Sequence, residues 1–460
     1  MTSDNERSGL PSEQNAPVPA AEASSGPSNA TPHLKRQVGL VGAVFLGLGA
    51  MVGTGLFVST SIAAAATGPA VLLAIVVAAA LATCNGLSSA QLAAAYPVSG
   101  GTYEYGYRCL TPALGFTAGW LFLCAKTASA ATAALGIAAA VLQAFQIDQQ
   151  RWLVPSAWAA AGGITLLVLL GMRRSNHANV VIVSVTLTAL VAFVAAGWTA
   201  ATGHAAENLQ PFFVGTTSGD RWAGFAQACA LMFVAYTGYG RVATLGEEIH
   251  DPQKNIPRAV IATLAVTMLL YLAVTWVAVA AAGAEPFATA GTREAAPLQT
   301  IAEGFAWPGA AYAVAVGAIT AMAGVLLNLV LGLSRIVLAM GRRRDLPPVF
   351  ANINRAGDTP VPAVLLVGLA IAALATLGDV KIAWSFSAFT VLLYYALTNL
   401  AAIRLPAELR RYPRWIPWVG LAGCLALAFW VEMAVWLTGL AVIAAGLVWY
   451  AAMRAIYGRA

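Results

Sequence analysis

Charged residues along this chain are separated by long apolar runs, and the gaps between them measure its elements. From Gln37 to Tyr103 none of 67 positions is charged. A charge held in hydrocarbon costs at least ~2.5 kcal/mol and a crossing helix takes about 20 residues, so this run predicts two crossings divided near Thr67-Gly68-Pro69. Uncharged stretches at 127–147, 152–172, 175–206, 222–240, 259–284, 304–334, 359–378, 382–403, 415–431 and 433–453 predict ten more. The expected fold class is an all-α polytopic membrane protein with twelve transmembrane helices.

Composition agrees. The 460 residues are 59% hydrophobic and 10% charged, with mean hydropathy +0.75; soluble domains run near a quarter charged, which excludes an ordinary soluble enzyme. The net charge of +6 would suggest nucleic acid in a soluble chain, but its distribution gives another meaning. With the N-terminus inside, seventeen Lys and Arg fall on cytoplasmic flanks and four (Arg151, Arg221, Arg293, Lys381) on outer loops. That bias places both termini in the cytoplasm, with the plasma (inner) membrane as the expected location and no nucleic-acid partner. Residues 1–36, rich in Pro, Ser, Ala and Glu, lack the apolar segment of a signal peptide and read as a disordered cytoplasmic tail. A ten-helix core is expected over 37–404, followed by two accessory helices and a short tail over 405–460.

Two spans carry helix-breaking signals. The first reads Gly49-Ala50-Met51-Val52-Gly53-Thr54-Gly55, three glycines in seven residues, each weakening a helix by about 1 kcal/mol relative to Ala. Unwound backbone in a membrane survives only where protein, ligand or water satisfies it. An opened turn would present the amides of Gly53, Thr54 and Gly55 to a carboxylate; close helix packing is the alternative use of such glycines. The sixth span reads Phe233-Val234-Ala235-Tyr236-Thr237-Gly238-Tyr239-Gly240-Arg241. Interruptions in spans one and six occupy corresponding positions of two five-span halves, the pointer to a transporter's central site, and an odd number of spans per half inverts one half against the other. Carbonyls freed around Val234 to Thr237 would accept an ammonium group. Together the breaks would suit the two ends of an α-amino acid.

These residues resemble a known family. Val52-Gly53-Thr54-Gly55-Leu56-Phe57 is similar to the signature of the amino acid–polyamine–organocation (APC) superfamily of permeases. Pro97-Val98-Ser99-Gly100-Gly101-Thr102-Tyr103 with Gly115-Phe116 and Gly119-Trp120 resembles its loop into span three. Gly246-Glu247-Glu248-Ile249, Asp251-Pro252 and Asn255-Ile256-Pro257-Arg258 resemble its loop after span six, and Ser334-Arg335, Ala339-Met340 and Asp345-Leu346-Pro347 the end of span eight. The similarity runs from about 37 to 404 and is nearest the branch of cationic amino acid transporters. It implies a five-plus-five inverted repeat with broken helices 1 and 6, alternating access, and amino acid uptake or exchange. It also implies substrate contacts at Val52, Gly53, Thr54 and Gly55 and at Val234, Ala235, Tyr236, Thr237 and Gly238. Two departures stand out. Proton-coupled members carry a lysine in span five, where this chain has Val185 or Thr186, and members often place a glutamate in span three, where this chain reads Leu123-Cys124-Ala125-Lys126-Thr127.

Lys126 lies seven residues after Gly119, roughly 10 Å along a helix. It is either a carrier of the coupling proton or a snorkelling or carbonyl-satisfied structural lysine. Arg241 either pairs with Glu247 or Glu248 or lines the exit as a gate. Arg335 is expected to snorkel and Glu104 to cap or pair at the start of span three. Both cations disfavour a cationic substrate and favour a neutral side chain. Asn328 is the main polar residue midway along span eight, a poor sodium site, which favours proton coupling or exchange.

No other chemistry is signalled. Cys84, Cys109, Cys124, Cys229 and Cys424 show no bridging or ligand spacing, and His33, His177, His204 and His250 fall at tails or span ends. With no phosphate loop or Ser-His-Asp spacing, neither an enzyme, a metal site nor a cofactor is expected. The readings are a secondary amino acid permease, a carrier of polyamines, other organic amines or nucleobases on the same fold, and an amino acid sensor that binds without carrying. An ion channel fits less well, since no pore loop or charged ring appears.

Overall fold

The computed structural model describes residues 36–457 apart from 146, 215–220, 245–246, 294–296, 355–358, 377–379 and 431–432. The expected tail over 1–36 thus lies outside the described residues except for Arg36. Stretches that are apolar around their whole circumference cannot expose backbone N–H and C=O groups to lipid, so they close them internally as helices. The chain runs α1 (Leu40–Met51), α2 (Thr60–Thr67), α3 (Val71–Ala95), α4 (Thr102–Cys109), α5 (Pro112–Ala144), α6 (Gln149–Leu169) and α7 (Met172–Asn208). There follow α8 (Arg221–Tyr236), α9 (Gly240–Thr244), α10 (Pro252–Ala282), α11 (Ala284–Arg293), α12 (Pro297–Glu303) and α13 (Ala310–Arg342). The last are α14 (Val361–Ala375), α15 (Val380–Ile403), α16 (Trp415–Ala428) and α17 (Met433–Tyr457).

Among the described residues eight helical stretches are long and apolar enough to cross a membrane, one of them the run Leu40–Ala95. The helices Val361–Ala375 and Trp415–Ala428 are apolar but shorter. The chain is an integral membrane protein, and large apolar side chains such as Leu369, Trp418 and Val448 stand exposed on its outer helices, as a lipid-facing surface requires. The Leu40–Ala95 run divides where the sequence predicts, at Gly68, whose φ of 67° is open to glycine and strained for other residues.

Measuring spans by charge gaps errs wherever a charge is buried with a partner. Lys126 lies well inside α5, which begins at Pro112 rather than near 127. Arg241 and Arg335 lie within α9 and α13 rather than beyond their ends. Glu104 does not begin span three; it sits on the separate α4, before the break at Leu110. The short helices α11 and α12 lie between the seventh and eighth expected spans, where charge gaps alone predict no helix.

α13 packs on α5 and α7, α10 packs on α7 and α3, and α8 lies against α2 and α3. α1 is enclosed by α7, α10 and α13. Glycines make this approach possible: a Cβ on Gly317 would sit 2.6 Å from that of Ala189, and one on Gly238 would sit 2.5 Å from the backbone of Ala50. Small residues at crossings are the usual solution where the solvent is lipid and apolar burial alone does not drive association. The second crossing sets the two interrupted helices directly against each other.

Candidate functional site

The first break is real and local. α1 stops at Met51, the Val52 N–H still bonds to Leu48 O (2.7 Å), and the Leu56 and Phe57 N–H groups both return to Gly53 O at 2.9 and 3.0 Å. Between them the N–H groups of Gly53, Thr54 and Gly55 make no hydrogen bond to any described residue. A widened turn, Gly55–Ser59, then leads into α2. Three consecutive unbonded amides at the start of a helical segment have the chemistry of an anion receptor.

The second break departs from expectation. The chain does not unwind over Val234 to Thr237; it tightens into a 3₁₀ turn, Thr237–Tyr239, between α8 and α9. Hydroxyls already use the carbonyls expected to be free. Thr237 Oγ1 donates to Val234 O (2.7 Å), Tyr271 Oη to Ala235 O (3.2 Å), and Tyr395 Oη to Thr237 O (3.0 Å). Tyr271 Oη also lies 2.6 Å from Met51 O, so one buried phenol bridges both breaks. Thr237 O also accepts the Gly240 N–H and is thereby filled, whereas a hydroxyl takes one of the two lone pairs on each of Val234 O and Ala235 O.

Lys126 meets this arrangement. It is buried, and its Nζ donates to Thr237 Oγ1 at 2.6 Å. Because the Thr237 proton is committed to Val234 O, the lysine is the donor in this bond. α5 thus turns this side chain inward, buried against the second break. No carboxylate pairs with it among the described residues, and two of its three N–H positions stay open.

A cavity of about 20 Å³ joins these groups. Of the expected contact positions, Thr54, Gly55, Val234, Ala235 and Thr237 line it, together with Lys126. Val52, Gly53, Tyr236 and Gly238 are buried or packed beside it but do not line it. Sequence reading missed Ala50 and Met51 on α1, Ser129 on α5, Val325 and Leu329 on α13 and Trp384 on α15, which complete the wall; apolar residues on apolar helices carry no local signal of facing a cavity. Trp384 is 3% exposed and its Nε1 has no partner. Nearby, Ser129 and Ser387 hydroxyls lie 2.9 Å apart and tie α5 to α15. Val185 is exposed, and Thr186 bonds Thr320 on α13 at 2.9 Å.

Arg241 lies one turn beyond Thr237 and does not line the cavity. The pairing expected with Glu247 or Glu248 is not formed. Glu248 is held by Arg335 at 2.7 Å, both 1% exposed, and Glu247 by Arg342 at 2.8 Å. Arg335 therefore does not snorkel; a carboxylate delivered by the α9–α10 loop neutralises it in place. Arg241 keeps one long bond to Thr244 Oγ1 (3.3 Å), and its Nε and Nη2 are unpartnered. The same loop fixes the start of the bundle, since Glu248 O accepts the N–H groups of Gln37 and Val38 at 2.9 and 3.0 Å.

At that end of the molecule Asp345 accepts hydroxyls from Tyr103 and Tyr107, both at 2.6 Å, while Trp449 of α17 bonds its carbonyl at 3.0 Å. Glu104 pairs with Arg343 (2.5 Å), so the expected pairing is formed, though on α4. Burial raises the Asp345 carboxyl above its ordinary value, against the two tyrosine hydroxyls, which hold it down. Because the folded value exceeds the unfolded one, ionisation counts against the folded state as pH rises above about 4. Asp345→Asn keeps an acceptor and removes the titration. Its melting temperature relative to wild type is expected to climb between pH 4 and 7; a flat difference in detergent melts would contradict this.

Two interrupted helices of a membrane protein thus cross at their breaks, with a buried cavity at the crossing. The sequence matches the amino acid permease family over residues 42–458, and the chain belongs to that family. It is 40% identical over 436 residues to an uncharacterized transporter of Mycobacterium tuberculosis (strain ATCC 25618 / H37Rv), covering 94% of this chain and 95% of the relative. It is 29% identical to the branched-chain amino acid permease BcaP of Bacillus subtilis (strain 168), over 75% of each chain. It is 27% identical to the vacuolar cationic amino acid transporter 4 of Arabidopsis thaliana, over 76% of this chain and 60% of the relative.

Proposed function

We propose that this permease is a secondary active transporter that moves non-cationic α-amino acids by alternating access, coupled to protons or working by exchange. The observation that carries this reading is the meeting of both breaks and Lys126 at one buried cavity. The amides of Gly53, Thr54 and Gly55 take the substrate carboxylate, and the remaining lone pairs of the Val234 and Ala235 carbonyls take its ammonium group. Lys126 opposes a cationic side chain, and the described cavity wall offers no carboxylate to a polyamine. The relatives divide on this point, one being named a branched-chain amino acid permease and another a cationic amino acid transporter, and the non-cationic preference rests on Lys126.

The bundle crosses the membrane twelve times in this reading: the first run counts as two crossings split at Gly68, and Arg221–Thr244 and the two shorter apolar helices each add one. Spans one to five and six to ten form inverted halves, with residues 405–460 as accessory helices and 1–36 as a cytoplasmic tail. Both termini face the cytoplasm by the distribution of Lys and Arg, in the plasma (inner) membrane. Arg241, below the cavity and short of partners, is a residue of the inner gate. Lys126 carries the coupling proton, in place of the lysine absent from α7.

Counterflow in proteoliposomes tests the reading. Labelled amino acid accumulates against internal unlabelled amino acid if the protein is a carrier; amino acid bound but never exchanged would make it a sensor. Lys126→Ala is expected to abolish the dependence of uptake on a proton gradient, with the protein still monodisperse in detergent. A proton dependence equal to that of wild type would remove Lys126 from coupling.

A further inference from the structure

The cavity wall is unbalanced in its hydrogen-bonding capacity. Its main-chain acceptors, on Met51 of α1 and on Val234 and Ala235 of α8, already receive hydroxyls, and the Ser129 hydroxyl on the same wall is paired with Ser387. The wall also carries two buried side-chain donors from different helices with capacity to spare. Lys126 of α5 is 6% exposed with two open N–H positions, and Trp384 of α15 is 3% exposed with an unpartnered indole N–H. Both line the same cavity, and neither belongs to the breaks that receive the main-chain ends of an amino acid. A buried donor without an acceptor, as the Trp384 indole N–H is, costs roughly 1–3 kcal/mol, and a site with such a donor beside a lysine of spare capacity selects the ligand that satisfies both.

We infer that Lys126 and Trp384 form a side-chain subsite for an oxygen acceptor, so that the cargo is a small α-amino acid whose side chain ends in a carboxylate or carboxamide. This rests on the permease reading and adds to it the class of side chain. The apolar contacts of Val325 and Leu329 bound the subsite on the α13 side and limit the length that fits. A carboxylate has the further advantage of neutralising Lys126 where no protein carboxylate does so. The lysine proton then serves recognition, because only the protonated amine can donate to Thr237 and still present two N–H groups to the cargo. Substrate and proton load together for that reason, with no second titrating group required.

The test is counterflow by the full-length protein in proteoliposomes, with labelled aspartate, asparagine, alanine and leucine at equal concentrations. Aspartate or asparagine is expected to exchange at least about tenfold faster than alanine or leucine, the equivalent of one charge-assisted hydrogen bond. Preference for aspartate over asparagine assigns a carboxylate, and the reverse a carboxamide. Trp384→Phe keeps the ring and removes only the donor, and Lys126→Met keeps the length; each is expected to reduce the ratio of aspartate or asparagine exchange to alanine exchange several-fold. Equal rates for all four amino acids, or an undiminished preference in both variants, would overturn the subsite and leave the permease reading standing. Exchange of no amino acid at all would overturn both.

Discussion

Gly55→Ala is expected to reduce amino acid exchange to background while the protein still folds. A Cβ at this position would lie 2.6 Å from Ala235 Cβ, 2.8 Å from Ala235 Cα and 3.0 Å from Tyr271 Oη. Two of these neighbours belong to the opposing break, where backbone has little room to yield. Separating the helices enough to admit the methyl also moves the phenol that bridges Met51 O and Ala235 O. Overpacking of this kind costs about 1–3 kcal/mol, which a bundle of this size tolerates, but the geometry of the cavity does not survive it. Gly163→Ala is the matched control, since a Cβ there meets nothing within 4 Å. Counterflow rates normalised to reconstituted protein decide the matter; wild-type exchange by Gly55→Ala would show that the crossing does not shape the site.

Glu248→Gln is expected to give the largest loss of stability of any single substitution discussed. Its carboxylate is the partner of Arg335, and both groups are 1% exposed. Arg241 is close enough to feel both charges and has no carboxylate partner of its own. Removing the negative charge leaves two buried guanidinium groups with none between them, and breaking a buried pair costs about 3–5 kcal/mol. Arg335→Met should cost less, because Arg241 can then approach the carboxylate that remains. The double variant Glu248→Gln, Arg335→Met should recover most of the loss. Thermal melts in one detergent measure all three, and a single substitution at Glu248 that melts like wild type would mean that the pair is open to water.

These outcomes depend on residues whose importance was unevenly visible in the chain. The bundle was legible because apolar runs interrupted by charge admit few structures in a bilayer, and the glycines at 53 and 55 marked the first break directly. The second break was located by its glycines, but its form was not. Whether a turn unwinds or tightens depends on the hydroxyls of Tyr271 and Tyr395, which arrive from helices distant in sequence. The sequence showed that Lys126 was deep, and only the packing of α5 against the second break decides which way it points. Arg241 was expected to have a partner because two glutamates follow it closely; α13 brings Arg335 and Arg342 to those glutamates instead. Trp384 could not have been distinguished from other aromatics of the bundle, since its open N–H is a property of its neighbours.

The size of the cavity has a thermodynamic consequence. Its 20 Å³ is about the room of one water molecule, less than any amino acid occupies. In the proposed reading, cargo binds here only to a dilated form, and its measured dissociation constant is the intrinsic one divided by the fraction of molecules dilated. Affinity in this carrier is then set partly by the free energy of opening the chamber, a quantity common to every substrate. Differences between substrates report contacts, whereas the absolute affinity reports the stiffness of the crossing helices.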